Sequence, residues 1–277
     1  MAFPDISCSG TDPSAGLELA QTWTSGEQRD LIFSESSSGA GISPSMNGVV
    51  STTPITITAI DADATSATLR WSPGDSQFDD ASIDPEEQGM DEVDIDFLVN
   101  GSGSVVGVDN LDVAIETLDT AFVSTASDEQ LIDRLGEEFT IYQFPETPVS
   151  EGEVTNVASQ MQNPVQGELT DTTDTTEHLG IDEQGCEVVR VTQSFGPDVI
   201  AENLEMILEG LSDAEMRSMA FADIGFEGAL IRTTTYRYDH GIDRVRQVEF
   251  TQAWGVFGAG GVDSRLETRV FTDVTDS

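Results

Sequence analysis

Lysine is absent from this chain: all eleven basic residues are arginines, set against 52 aspartates and glutamates. That absence removes several chemistries. A GxxxxGK[ST] loop needs its lysine to reach the β- and γ-phosphates of a nucleotide, and Schiff-base catalysis needs a lysine amine. Only His178 and His240 are available as imidazole bases, and neither has a partner at metal-binding spacing. His178 lies in TDTTDTTEHLG, a polar stretch that reads as a loop. His240 lies in YRYDHGID, where DHG reads as a turn between two strands. Cys8 and Cys186 are too few and too far apart in sequence for a disulfide framework, and are expected as free, mostly buried thiols. Long apolar runs are missing as well. The best candidate, 253–262, is broken by four glycines, and nothing approaches the roughly 20 residues of a membrane helix. No basic residue precedes Arg29, so no secretory signal is expected. The chain is expected to be made inside the cell and to leave it only within an assembled particle.

What the chain has in excess is carboxylate. A net charge of −41 pushes a compact chain apart in dilute buffer. At molar salt the Debye length shrinks to about 3 Å and that repulsion largely disappears. Hydrophobic residues make up 38% of the chain, which favours a packed core over an acidic disordered tail. An acid-paved, lysine-free sequence of this kind resembles the proteins of salt-in haloarchaea.

With so many acids, a pair at any chosen separation carries little information. The run 91–97 illustrates this: Val93, Ile95 and Phe97 alternate with Glu92, Asp94 and Asp96. It reads as a half-buried strand with an acidic outer face. Asp91, Glu92, Asp94 and Asp96 are the candidate metal ligands, for Ca²⁺. No organic cofactor is implied, and bound ions are limited to Na⁺, K⁺ or Ca²⁺. The glycine cluster GVFGAGG (255–261) lies between two strand-like segments, which suits a turn better than a dinucleotide fingerprint. The sequon at Asn100 is a pattern common by chance.

Periodicity predicts an α+β, β-rich fold: antiparallel sheets or a β-sandwich, with two or three flanking helices and an extended N-terminal arm. Residues 1–50, rich in Ser, Gly and Pro, form that arm, with one strand near 31–33. Residues 51–144 form a β-rich region with strands at 54–60, 66–71 and 92–99. A helix at 109–122 is capped by Asp109, and one at 127–137 has a Ser127/Gln130 capping box. The latter runs into a strand at 138–144. Residues 145–185 read as a polar excursion. Residues 186–277 hold a strand at 186–195, a long helix at 197–220, and a three-strand meander at 229–238, 244–257 and 265–274.

Arginine is unevenly placed. Residues 217–277 hold seven of the eleven arginines and nine acids, a balance of −2, leaving −39 for the first 216 residues. A surface facing brine should be acidic throughout, so this region is expected to face something else. The chain's own core is one partner, with arginine stems lying over it. A second subunit is another, since Arg and aromatics favour interfaces. The candidate interface residues are Arg232, Tyr236, Arg237, Tyr238, Arg244, Arg246, Trp254, Arg265 and Arg269. Nucleic acid fits less well, because the region is still net negative and high salt suppresses phosphate binding; no sequence-specific nucleic acid is expected, and no membrane.

The order of these elements resembles virion proteins of tailed viruses. The helix 127–137, its following strand and the later meander are similar to the tail-tube plan of a β-sandwich with one flanking helix. The helix 197–220 and the excursion 145–185 suit the capsid shell subunit of such viruses about as well. The resemblance implies a non-enzymatic, self-assembling virion subunit of a haloarchaeal virus, made in the host cytoplasm, whose partners are copies of itself and other virion proteins. An intracellular hydrolase, or a module binding Ca²⁺ or sugar, is the alternative.

Overall fold

Residues 28–39 send Arg29, Leu31 and Phe33 to one side of the chain, where all three are buried. This period of two makes a strand with one face on a core. The segment is β1 (Gln28–Gly39). β2 (Val50–Ala62) repeats the pattern with Ile55, Ile57 and Ala59, and β3 (Ser66–Pro73) with Leu69 and Trp71. β4 (Gln77–Phe78), β5 (Ile95–Asn100) and β6 (Val105–Val108) follow. The helices α1 (Leu111–Ala114) and α2 (Asp128–Tyr142) come next. The remaining strands are β7 (Val154–Gln162), β8 (Leu169–Ile181), β9 (Glu187–Phe195), β10 (Glu227–Asp239), β11 (Arg244–Gly258) and β12 (Gly261–Asp273). This computed structural model describes residues 6–9, 23–39, 45–80, 93–101, 103–118, 123–124, 126–142, 150–162, 169–195, 227–242, 244–258 and 261–275.

The strands join into one antiparallel sheet in the order β6-β5-β3-β2-β1-β12-β11-β10-β9-β8-β7, with β4 added beside β2. Most neighbours are also neighbours in sequence. One exception is β5, which follows β3 because β4 pairs with β2; the other is β12, which inserts between β1 and β11 and pairs Phe33 with Phe271 and Leu31 with Asp273. The C-terminal strand therefore lies in the middle of the sheet. The expected β-rich fold with antiparallel strands is observed, and so is the C-terminal meander.

One face of the sheet takes α2. Leu131, Leu135, Phe139 and Tyr142 are all buried, which is the spacing that aligns side chains along one stripe of a helix. Phe139 stacks on Phe97 (centroids 5.1 Å apart) and meets the edge of Trp71 at 5.8 Å, while Tyr142 reaches Phe271 at 6.0 Å. Gly136 lets the helix close on β6: a Cβ there would stand 3.3 Å from Val105 Cγ1. The capping box forms as expected. Ser127 N–H donates to Gln130 Oε1 at 2.9 Å, and Gln130 N–H donates to Ser127 Oγ at 3.3 Å.

Several expectations are corrected. Residues 138–142 of the strand expected at 138–144 form the last turn of α2, and 143–144 lie outside the described residues. The aromatic residues there suit a strand locally, but only helical pitch brings Phe139 and Tyr142 onto the stripe begun by Leu131. Of the helix expected at 109–122, the described residues form one α-turn followed by a 3-10 turn at 115–117, with Leu118 extended; residues 119–122 lie outside the described residues. Its N-cap is Asn110, whose side chain is engaged elsewhere: Oδ1 accepts Asp96 N–H at 2.9 Å and Nδ2 donates to Asp94 O at 2.8 Å. The polar excursion at 145–185 contains the hairpin β7–β8. The threonine repeat in β8 is β-branched, and such residues suit a pleated surface. The helix expected at 197–220 lies outside the described residues.

Candidate functional site

The arginine-rich meander, β10 to β12, occupies the interior of the sheet, with β9 on one side and β1 on the other. Its side chains find partners within the chain. Arg269 Nη2 lies 2.7 Å from Glu267 Oε1 and its guanidinium faces the Phe250 ring at 5.8 Å. Burial opposes the charge on Arg269, but Glu267, Glu138, Glu137 and Glu35 outweigh it and leave the group more basic than usual. Arg232 bonds Gln252 through Nε. Its burial lowers its basicity, countered by Glu137. Two meander arginines thus face acids carried by α2, which explains why this stretch departs from the acidic rule.

On the opposite side of the sheet, Arg237 reaches Asp182 at 3.2 Å, Gln247 at 2.9 Å and Glu249 at 3.6 Å. Arg244 approaches the fully buried carboxylate of Asp273 at 3.4 Å. Arg246 donates to Thr275 O at 3.5 Å, while its Nε and that of Arg265 are buried without a hydrogen-bond partner among the described residues. Tyr236 and Tyr238 are buried in the chain's own core, and burial pushes the Tyr236 phenol well above its usual range. The two tyrosines therefore offer no face to a partner. Trp254 sits on β11 opposite Arg265 in register.

Of the candidate metal ligands, Asp91 and Glu92 lie outside the described residues. Asp96 does not face brine: it is 9% exposed, and Arg70 donates to both its oxygens at 2.7 and 2.8 Å. Asp94 is exposed, 4.0 Å from Arg70 Nε. Arg70 thus takes the carboxylate that a cation needs. Among the described residues no group of three or more His, Cys, Asp or Glu side chains is arranged to hold a metal ion.

A cluster that sequence reasoning missed sits where β8, β9 and β10 end together. Glu187, 2% exposed, has His178 Nε2 2.7 Å from one oxygen, close but not aligned as a hydrogen bond, and His240 Nε2 bonded to the other. Both histidines of the chain thus converge on one buried carboxylate. His240 lies in the expected turn, but His178 is a buried β8 residue rather than part of a loop, opposite Val189 in register. The strand signal was present in the threonine repeat and would have paired 174–181 with 187–193.

Next to it, Cys8 and Cys186 form a disulfide, so the free thiols expected from sequence are corrected. Their separation of 178 residues is bridged because the β8–β9 turn comes up against residues 6–9. Cys8 N–H donates to Gln184 O at 2.9 Å, and Ser9 donates twice to Asp239 Oδ1, at 3.1 and 3.0 Å. Gly185, with φ +79°, turns directly beneath this segment; a Cβ on it would come 2.8 Å from Cys8 O. Positive φ and close approach both demand glycine here.

A cleft of about 420 Å³ opens at the other end of the sheet, lined by Trp23, Ser25, Asp63, Ser66, Asn100 and Gly103 among others. Thr65 and Ser66 donate to Asp63 and hold its carboxyl below the usual range, the backbone N–H of Thr65 first. The two ends of the sheet differ. β6 is four residues long and lies against α2. β7 is nine residues long and, among the described residues, pairs only with β8. Compared with known proteins, the chain matches no family model and no curated protein.

Proposed function

We propose that the chain is a self-assembling structural subunit of a haloarchaeal virus particle, the tail tube ahead of the capsid shell. The observation that carries this reading is the sheet itself, eleven strands in a single path, with β4 beside β2, left open at both ends among the described residues. An open edge is a row of unpaired N–H and C=O groups, and assemblies grow by adding strands to such edges. The composition supports the setting: a net charge of −41 without lysine is tolerable where salt screens it. The flanking helix α2 and the long hairpin β10–β11 are similar to the tail-tube plan. A disulfide suits a protein that ends outside the reducing cytosol.

The interface expected along the meander is replaced by the sheet edges, because Tyr236, Tyr238, Arg237 and Arg269 are engaged within the chain. Partners are copies of itself and other virion proteins. Ions held at the carboxylate surface remain part of the proposal; the hydrolase and the Ca²⁺ or sugar module are the competing readings. The test is sedimentation velocity with negative-stain imaging in about 3 M NaCl, where screening leaves apolar contacts intact. Rings, tubes or closed oligomers are expected. A monomer at every protein and salt concentration overturns the reading.

A further inference from the structure

β7 runs Val154-Thr-Asn-Val-Ala-Ser-Gln-Met-Gln162 and contains no charge, no proline and no glycine. In a chain with 52 acids that is unusual. It is more so beside β8, which places Asp171, Asp174 and Glu177 opposite Gln160, Val157 and Val154. Proteins normally blunt an exposed strand edge with charge, proline or a bulge. Here Val154 and Val157 are 52% and 42% exposed, and among the described residues no charge, proline or bulge guards the strand. The backbone direction is readable too. His178 N–H donates to Glu153 O at 3.4 Å. Ladder bonds alternate along a strand, so residues 155, 157, 159 and 161 turn to β8. Residues 154, 156, 158, 160 and 162 turn their N–H and C=O away.

We propose that β7 pairs antiparallel with β7 of a second copy, about a twofold axis at Ala158. This rests on the self-assembly reading and names its contact. Charge decides the occupant. Two molecules of net charge −41 approach at least cost where neither presents an acid, and β7 is such a place. Length decides the register. The other end of the sheet, β6, offers four residues, whereas a second β7 matches all nine. Centred on Ala158, the ladder sets the smallest residue of the strand against itself, Asn156 against Gln160, and Val154 against Gln162. No like charges meet, and the contact is closed and self-complementary.

The full chain carrying Ala158→Cys tests this in about 3 M NaCl, with screening as before. Cys8 and Cys186 are joined to each other, so the new thiol stands alone. Paired Cα atoms in such a ladder are about 4.5–5.5 Å apart, within disulfide reach. Mild oxidation is expected to convert most of the chain to a covalent dimer. In a second variant, Ala158→Pro, the lost N–H faces away from β8, so circular dichroism and melting stay as in the parent. Dimer affinity is expected to fall by about thirtyfold, since symmetry removes two ladder hydrogen bonds. If Ala158→Cys gives no covalent dimer while the double variant Val106→Cys with Ala158→Cys does, the copies join head to tail and the twofold is wrong. If neither cross-links and Ala158→Pro still forms oligomers, the β7 contact is overturned but self-assembly stands. A parent that is monomeric throughout removes both.

Discussion

Arg29 is 4% exposed, with its guanidinium 3.7 Å from the centre of the Trp23 ring and Nη2 at 2.7 Å from Glu27 Oε1. Burial opposes the charge, yet Tyr142 and Glu27 leave the group more basic than usual. Removing Arg29 takes the cation away from the buried Tyr142 and the partly exposed Glu27 and leaves a gap beneath Trp23. Arg29→Ala is therefore expected to cost about 3 kcal/mol, read by urea unfolding at high salt. Glu138 works in the opposite sense. Burial raises its pKa above the usual carboxylate range, against the pull of Arg269, with Glu35 and Glu137 adding to the rise. An acid with a raised folded-state pKa costs stability while ionised; the cost is relieved as pH falls through that value and is gone below the unfolded one. Glu138→Gln should melt higher than the parent near pH 7, and the two should converge below about pH 4.3. Equal melting at both pH values would show that the carboxylate is not penalised by its surroundings.

Among the elements, α2 holds the aromatic cluster together through one side chain. Phe139 touches Trp71, Phe97 and Tyr142. Phe139→Ala is expected to cost about 3–5 kcal/mol, with loss of near-ultraviolet dichroism as the aromatic packing loosens. The same element shows what was legible in sequence. The Ser127/Gln130 cap and the stripe Leu131, Leu135, Phe139 could be read directly, because both depend on residues a few positions apart. The end of the helix could not, since EFTIYQF satisfies a strand pattern locally and only Phe97, Trp71 and Phe271 decide otherwise. β8 was missed for a similar reason: polar threonines resemble a loop until β7 and β9 flank them. The disulfide and the place of His240 on Glu187 depend on contacts across 178 and 53 residues, which no local spacing encodes. Asp96 was placed on a strand correctly, but its capture by Arg70 required knowing that β3 and β5 are neighbours.

For the whole molecule, charge and covalent closure dominate. Below roughly 0.1 M salt the Debye length grows to about 10 Å, and the acids of the sheet's outer faces repel one another again. The melting temperature should fall steeply as salt is diluted from molar levels, and recover on its return. The Cys8–Cys186 bond closes a loop of nearly two-thirds of the chain. Chain entropy sets a ceiling of about 5 kcal/mol for its contribution. Reduction at constant salt should lower the unfolding midpoint, and should free residues 6–9 to proteolysis before the sheet opens.

The place of β12 has a consequence for manufacture. Of the described strands this one is made last, and it alone hydrogen-bonds β1 on one side and β11 on the other, across separations such as Leu31 to Asp273. Until it emerges, a growing polypeptide can hold only two half-sheets with raw inner margins. A copy cut short before β12 lacks the piece that welds the halves, and its sheet cannot be completed.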